Sequence, residues 1–173
     1  MTVKRPLVVT LRLDDAATQR FDAERTALFP AGRTEVGAHV TLFHAVPDGE
    51  QERVLADLTE LTGRQPFPVA VTEVWSLGHG AAYTLASSEL EALHRELQRR
   101  WWKTLTKQDR QGLRAHVTVQ NKVSPAVAAR TLADLRTDFA PHDVRAVGLR
   151  LWRYDDGPWT LLADVPFALR HQP

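Results

Sequence analysis

The tetrapeptide His39-Val40-Thr41-Leu42 returns as His116-Val117-Thr118-Val119, at an offset of 116 − 39 = 77 residues. Each copy lies in an apolar run that is typical of a β-strand. In a strand, residues i and i+2 point to the same face, so His39 and Thr41 share one face, and so do His116 and Thr118. The sequence therefore predicts two strands that present a histidine and a threonine in the same way.

The segments on either side of the two motifs also repeat. Hydrophobic periodicity and turn residues predict the same order of strands and helices around each motif. The predicted strand at 81–86 can close the first unit and open the second. The predicted strands are 6–13, 39–46, 67–77, 81–86, 116–123, 143–154 and 158–168, and the predicted helices are 15–29, 50–62, 88–103 and 125–139.

The starts of three helices carry recognisable capping residues. Asp14 and Asp15 are N-cap candidates for the first helix, and Ser88 to Glu91 has the form of a capping box at the third. Ser124-Pro125 combines an N-cap residue with a proline at the first helical position of the fourth. These signals support the helix predictions independently of periodicity.

Adjacent strands at 67–77 and 81–86, and again at 143–154 and 158–168, indicate hairpins, so the sheets are at least partly antiparallel. We therefore predict an α+β fold with two pseudo-symmetric lobes. Two largely antiparallel sheets would flank a central cleft, with the helices outside. The whole chain, 1–173, is expected to form a single domain, with lobes built from the repeats at about 6–86 and 81–168.

Composition excludes several classes of protein. The net charge is only +1, which argues against a large surface for duplex DNA, and the absence of cysteine excludes disulfides, a thiolate nucleophile and a cysteine zinc site. Residues 1–6 lack a signal-peptide pattern, and no apolar run approaches the roughly 20 residues that span a bilayer. We expect a cytoplasmic monomer without membrane contact.

The paired histidines indicate acid and base catalysis. Imidazole changes its charge near neutral pH, so one histidine can accept a proton while the other donates one. Cleavage of a phosphodiester beside a ribose hydroxyl requires that combination. The hydroxyl groups of Thr41 and Thr118 would bind the non-bridging oxygens and stabilise their developing charge. No metal or other cofactor is needed.

The two motifs resemble the paired signatures of the two-histidine (2H) phosphoesterase superfamily. Within it, the chain is similar to the bacterial 2′-5′ RNA ligase and cyclic phosphodiesterase group along nearly its whole length, including 6–15, 39–47 and 116–123. One departure is Ala115, where many relatives carry proline before the second histidine; this concerns the start of the strand more than the chemistry.

The resemblance implies a bilobal fold and catalysis by His39 and His116. It implies hydrolysis of 2′,3′-cyclic phosphates on nucleotides or RNA ends, commonly to 2′-phosphates, and reversible 2′-5′ ligation in some members. It makes His116 the base toward a cyclic phosphate and His39 the acid, and these roles exchange when the reaction runs backward.

Further residues are candidates for substrate binding. Arg114 lies two residues before His116, and Lys122 falls on the same face by even spacing. Aromatic residues can stack on a base. The aromatic candidates are Phe43, which continues the His39 face, and Tyr154 and Trp159, which flank a turn.

Other readings remain open. An odd offset places His44 on the opposite face from His39, so packing or an edge position is the simpler interpretation, and a solvated turn and boundary packing explain His79 and His94. The stretch Arg99 to Lys103 either binds RNA or ends a helix around a buried tryptophan. The main alternative function is a nucleotide- or RNA-binding module that uses the same cleft without turnover.

Overall fold

The computed structural model describes residues 5–32 and 36–170. Every strand and helix predicted from the sequence is present, with bounds that differ by a few residues. The strands are β1 (Leu7–Leu13), β2 (Val40–Val46), β3 (Phe67–Ser76), β4 (Ala81–Ala86), β5 (His116–Gln120), β6 (His142–Tyr154) and β7 (Trp159–Pro166). The helices are α1 (Asp15–Leu28), α2 (Gln51–Leu61), α3 (Ser88–Trp101) and α4 (Pro125–Asp138), with a short 3₁₀ turn at Asp48–Glu50.

The predicted helix caps are confirmed at α1 and α4 and shifted by one residue at α3. The side chain of Asp14 accepts a hydrogen bond from the amide of Ala17, and Ser124 accepts one from Val127. At α3 the cap is Ser87 rather than Ser88. Each cap satisfies an amide group that the first helical turn leaves without a partner.

The predicted α+β class is confirmed, but the strands form one sheet, so the prediction of two separate sheets is wrong. All pairings are antiparallel, in the order β2-β1-β6-β3-β4-β5, and β7 pairs with β6. The long strand β6 explains the difference. Its first residues, His142–Ala146, pair with β3, and its later residues pair with β1 and β7, so one strand belongs to both halves.

The two motif strands lie at opposite ends of this sheet order. Even so, β2 and β5 contact each other, and α1 also packs against β5. The sheet must therefore curl until its two edges approach. This curl brings the two motif strands together, although 76 residues of chain (116 − 40) separate their first residues.

Buried side chains from the sheet and from α1, α2 and α3 make one continuous core, and partly buried side chains of α4 pack against it. Helix α3 contributes Leu90, Leu93 and Leu97, and its last residue, Trp101, packs its ring edge against Phe43 of β2 at 5.0 Å between centroids. Helix α4 covers β3 and β4. Among the described residues, no helix is long and apolar enough to cross a membrane.

Candidate active site

His39 stands immediately before β2 and is held by the chain that precedes it. Its Nδ1 lies 2.7 Å from the carbonyl oxygen of Gly37. Helix α1 fixes this short segment, because Asp22 accepts a hydrogen bond from the amide of Ala38 and Arg25 donates to the carbonyl of Val36. The position of His39 therefore depends on α1 as well as on its own strand.

His116 begins β5 in the same local arrangement. Its Nδ1 lies 2.7 Å from the carbonyl oxygen of Arg114, two residues earlier. A carbonyl can only accept a hydrogen bond, so Nδ1 carries the proton in both His39 and His116. In the neutral rings Nε2 is then the free acceptor, and when protonated it is the acid. The two histidines are thus prepared for the same chemistry from two strands.

The two imidazoles line different cavities. Thr41 and His116 line one of about 610 Å³, and His39 lines a smaller one of about 100 Å³, to which Val40 and Val117 of the two motifs also contribute. Burial lowers the pKa of His39, and electrostatic interaction with the side chains of Arg25, His116 and His44 lowers it further, against a bond to Gly37 that raises it. His39 is accordingly neutral at pH 7 in the free protein.

The two threonines are placed differently around the cleft. Thr41 lies in the wall of the larger cavity and pairs with Thr10 of β1. Thr118 is half-buried on β5, on the side of the strand that also carries His116, and its carbonyl accepts a 2.8 Å hydrogen bond from Arg25. Of the four predicted residues, Thr41 and His116 therefore share a cavity wall, while Thr118 stays a prediction from its strand face.

An irregularity in β2 reverses the expected alternation after Thr41. Val9 of β1 pairs with Phe43, and the next residue, Thr10, pairs with Thr41, so β2 carries an extra residue there. Such a bulge turns the following side chains to the other face. Phe43 is fully buried and stacks on the ring of His94, so its prediction as a base-stacking residue is wrong.

The same bulge places His44 on the cleft side. The prediction that it faces away from the motif is wrong, since His44 lines the larger cavity beside Thr41 and His116. Its Nδ1 lies 3.2 Å from Oδ1 of Asp109, a carboxylate whose side chain is only 1% exposed. Asp109 also accepts hydrogen bonds from the amides of His44 and Ala45.

The carboxylate of Asp109 is ionised although it is buried. Burial by itself raises the pKa of Asp109, but the hydrogen bonds from His44 and Ala45 outweigh it and hold the pKa below its usual range. An ionised carboxylate only accepts hydrogen bonds, so Nδ1 of His44 is protonated. His44 therefore repeats the arrangement of the other two imidazoles, with Nε2 left for a ligand.

The remaining candidates for substrate binding divide into two groups. Arg114 lines the larger cavity with His116, and the ring of Trp159 lies 5.0 Å from that of His39. Lys122 lies beyond the end of β5 in a left-handed turn (φ 61°), so the even-spacing argument fails, and it lines neither cavity. Tyr154 lines a separate cavity with Pro47 and Leu105.

Two tryptophans that the sequence analysis did not select also line the cleft. Trp75 lines the larger cavity, and its ring packs edge-on with that of His116, at 5.3 Å between centroids and an interplanar angle of 84°. Trp152 lines the cavity of His39 and donates a 2.9 Å hydrogen bond to Thr10. Their offset, 152 − 75 = 77, equals that of the histidines, so applying the repeat to aromatic residues would have found both.

The stretch Arg99 to Lys103 ends a helix and does not form a free cationic patch. Arg100 makes ion pairs with Asp57, Glu60 and Glu96, and these connect α3 to α2. Trp101 is buried and donates from its indole to Asp57. Packing rather than RNA binding accounts for this part of the sequence.

Within residues 5–32 and 36–170, no three His, Asp or Glu side chains are grouped so that they could hold a metal ion. The two cavities do offer imidazoles, hydroxyls and guanidinium groups. These can move protons and bind an anion.

Comparison with known proteins gives a consistent result. A family model described as the 2′-5′ RNA ligase superfamily matches residues 13–158. The sequence matches no curated protein. Among solved structures, the chain is similar to the protein TT0787 of Thermus thermophilus, with 17% identity and a TM-score of 0.62 over 96% of this chain and 100% of that chain.

The chain is also similar to LigT of E. coli. The complex of LigT with 3′-AMP aligns with 16% identity and a TM-score of 0.59, over 95% of this chain and 99% of that chain. The complex with ATP gives 16% identity and a TM-score of 0.54, over 95% and 98%. At these identities the likeness shows the fold alone: an antiparallel sheet, curled on itself, with helices outside.

Proposed function

Since this chain belongs to the 2′-5′ RNA ligase superfamily, we propose that it is a metal-independent phosphoesterase that hydrolyses the 2′,3′-cyclic phosphates of nucleotides or RNA ends to 2′-phosphates. The observation that carries the proposal is the matched anchoring of two imidazoles. His39 and His116 each bond through Nδ1 to the carbonyl two residues earlier, and each leaves Nε2 available at the cleft. The nucleotides in the LigT structures support a nucleotide as ligand.

The reaction requires one proton acceptor and one proton donor. Nε2 of His116 takes a proton from water, and the oxygen of that water attacks phosphorus. The bond from phosphorus to the ribose O3′ breaks, and protonated His39 gives its proton to O3′. The product is a 2′-phosphate with a free 3′-hydroxyl, and exchange with solvent returns both histidines to their starting states.

The low pKa of His39 fits this scheme when the substrate is included. The free protein holds His39 neutral, because burial and the nearby side chains, Arg25 among them, lower its pKa. A bound phosphate brings a negative charge, which raises the pKa of an adjacent imidazole and loads it with the proton that O3′ requires. Substrate binding therefore charges the acid.

The same geometry supports 2′-5′ ligation. When a ribose 5′-hydroxyl replaces water as the attacking group, the P–O3′ bond still breaks and a 2′-5′ linkage forms. The reverse reaction exchanges the roles of His39 and His116. The ratio of hydrolysis to ligation then depends on whether water or a second RNA end reaches His116.

The test is to incubate the purified protein with EDTA and a panel of nucleoside 2′,3′-cyclic phosphates and oligonucleotides that end in one. We expect 2′-phosphate products, identified by chromatography, and a loss of about 10²–10⁴-fold in kcat in His39→Ala and in His116→Ala. His79→Ala is the matched control, since His79 also bonds a backbone carbonyl but lines neither cavity at the histidines. Activity that persists in either active-site variant would refute the mechanism. Nucleotide binding without any product would favour the non-catalytic module.

A further inference from the structure

His44 is an imidazole of the larger cavity that the two-histidine reaction does not use. It faces the larger cavity, and its side chain is 46% exposed. Packing of the ring in the core therefore does not account for its presence. His39 and His116 already provide the acid and the base. A histidine turned toward the ligand space by a bulge and fixed there by a carboxylate is available for binding.

Asp109 holds His44 from behind the cavity wall. Its loop is itself fixed: the amide of Asp109 bonds to the hydroxyl of Thr106, and its carbonyl accepts from Gln98 of α3, which also reaches Gln111. A buried carboxylate is costly unless hydrogen bonds and an opposite charge compensate it. The amides of His44 and Ala45 supply part of that compensation, and a hydrogen bond from Nδ1 of His44 adds to it.

The charges around the larger cavity favour an anion. Arg114 and His116 line it together with His44. The one carboxylate in its wall, Asp109, is covered by His44 and paired with it. His94 also lines the cavity but is buried and stacked on Phe43, and burial lowers its pKa, so it stays neutral. His44 and Arg114 thus remain for a ligand in addition to the reacting pair.

We propose that His44, positioned by Asp109, and Arg114 form a binding site for a second phosphate of the substrate. This inference rests on the proposed function and narrows it to nucleotides or RNA ends that carry a phosphate besides the cyclic one. With Nδ1 bonded to Asp109, the imidazole of His44 presents Nε2 to this phosphate, and the Arg114 guanidinium donates a charge-assisted hydrogen bond to it. His44 and Arg114 are specificity-determining residues, and Asp109 is a positioning residue.

A binding experiment tests the site without requiring turnover. Calorimetry measures the affinities of adenosine 2′-monophosphate and adenosine 2′,5′-bisphosphate for the full chain. We expect the wild type to prefer the bisphosphate by about tenfold or more, the factor that one charge-assisted hydrogen bond gives. His44→Gln and Arg114→Gln should each lose most of that preference, and His79→Gln should keep it. Equal affinities in the wild type, or an unchanged preference in both cavity variants, would overturn the proposal.

Asp109→Asn tests the positioning role. It keeps the size of the side chain but removes the negative charge that holds the imidazole of His44, so the preference for the bisphosphate should fall as it does in His44→Gln. A merely structural role would weaken both ligands equally. If Asp109→Asn does not fold, His44→Gln and Arg114→Gln still decide whether the second-phosphate site exists.

Turnover separates this inference from the proposed function. Adenosine 2′,3′-cyclic phosphate with and without a 5′-phosphate are the paired substrates. A lower KM for the 5′-phosphorylated substrate, lost in His44→Gln, would support both proposals. If neither substrate is hydrolysed while the binding preference is present and depends on His44, the second-phosphate site stands and the catalytic proposal fails. If both substrates are hydrolysed with equal KM and the wild type shows no binding preference, the second-phosphate site is wrong and the catalytic proposal stands.

Discussion

Replacing Arg25 with methionine tests whether α1 ties the two motif strands together. Arg25 is 8% exposed and donates from Nε to the carbonyl of Val36 at 3.1 Å and from Nη1 to that of Thr118 at 2.8 Å. One bond fixes the segment before His39, and the other fixes β5. Methionine keeps an unbranched apolar stem and removes both bonds.

The expected loss of stability follows from these two bonds. Hydrogen bonds to a charged group contribute about 1.5–3 kcal/mol each, so the pair contributes about 3–6 kcal/mol. Burial lowers the pKa of Arg25, because a charged guanidinium loses hydration in the protein interior. Methionine is uncharged and avoids this desolvation cost, which offsets part of the loss of the two hydrogen bonds. We therefore expect the free energy of unfolding to fall by about 2–4 kcal/mol.

Two measurements check the Arg25 prediction. Urea denaturation gives the loss of stability, with Arg130→Met, an exposed arginine on α4, as the matched control near zero. NMR titration of the imidazole protons gives a second readout, because the positive charge of Arg25 lowers the pKa of His39 and its removal should raise it. If Arg25→Met is as stable as Arg130→Met and the pKa of His39 does not move, the proposed connection between α1 and the motif strands is wrong.

Three further predictions concern His39, the end of β5 that follows His116, and the buried His94. Binding of adenosine 2′-monophosphate should raise the pKa of His39 in an NMR titration, and an unchanged pKa would contradict its proposed loading by substrate. A Cβ on Gly80 would overlap the backbone of Gln120 at the end of β5, so Gly80→Ala should cost about 1–3 kcal/mol in urea denaturation and impair His116; wild-type stability and activity would argue against this close approach. Burial lowers the pKa of His94, so the native state binds its proton less readily than the unfolded chain. The contribution of His94 to stability is therefore full above pH 6.5 and is lost as the pH falls. In His94→Phe, the free energy of unfolding should decline less between pH 7 and 5 than in the wild type. Equal slopes for the two proteins would contradict this prediction.

The sequence predicted well the features that depend on local pattern. Strand and helix positions follow from periodicity and caps, and the paired histidines follow from a repeat that can be counted directly. The sequence does not show that His39 and His116 each bond to the carbonyl two residues earlier. This shared hydrogen bond nevertheless agrees with their equivalent positions in the two repeated units.

The features that sequence reasoning missed depend on distant partners. The bulge that buries Phe43 and turns His44 into the cleft is set by how β2 pairs with β1, and alternation alone assumes a regular strand. The carboxylate that holds His44 lies 65 residues further along the chain. The union of two sheets into one depends on β6 pairing on both edges, which its own residues do not reveal.

The position of β6 between β1 and β3 determines how the chain must fold. β1 pairs with β6 only when Leu7 lies opposite Arg153, which is 146 residues later in the chain (153 − 7). β3 also forms one of its strand pairings with β6. Contacts of such long range make folding slow, because much of the chain must be ordered before they form. A fragment that stops between β3 and β4 would keep β1 paired only with β2 and would leave β3 without a neighbour. The two histidine-bearing halves are therefore mutually dependent for folding, and separate halves should form the sheet only when they are present together.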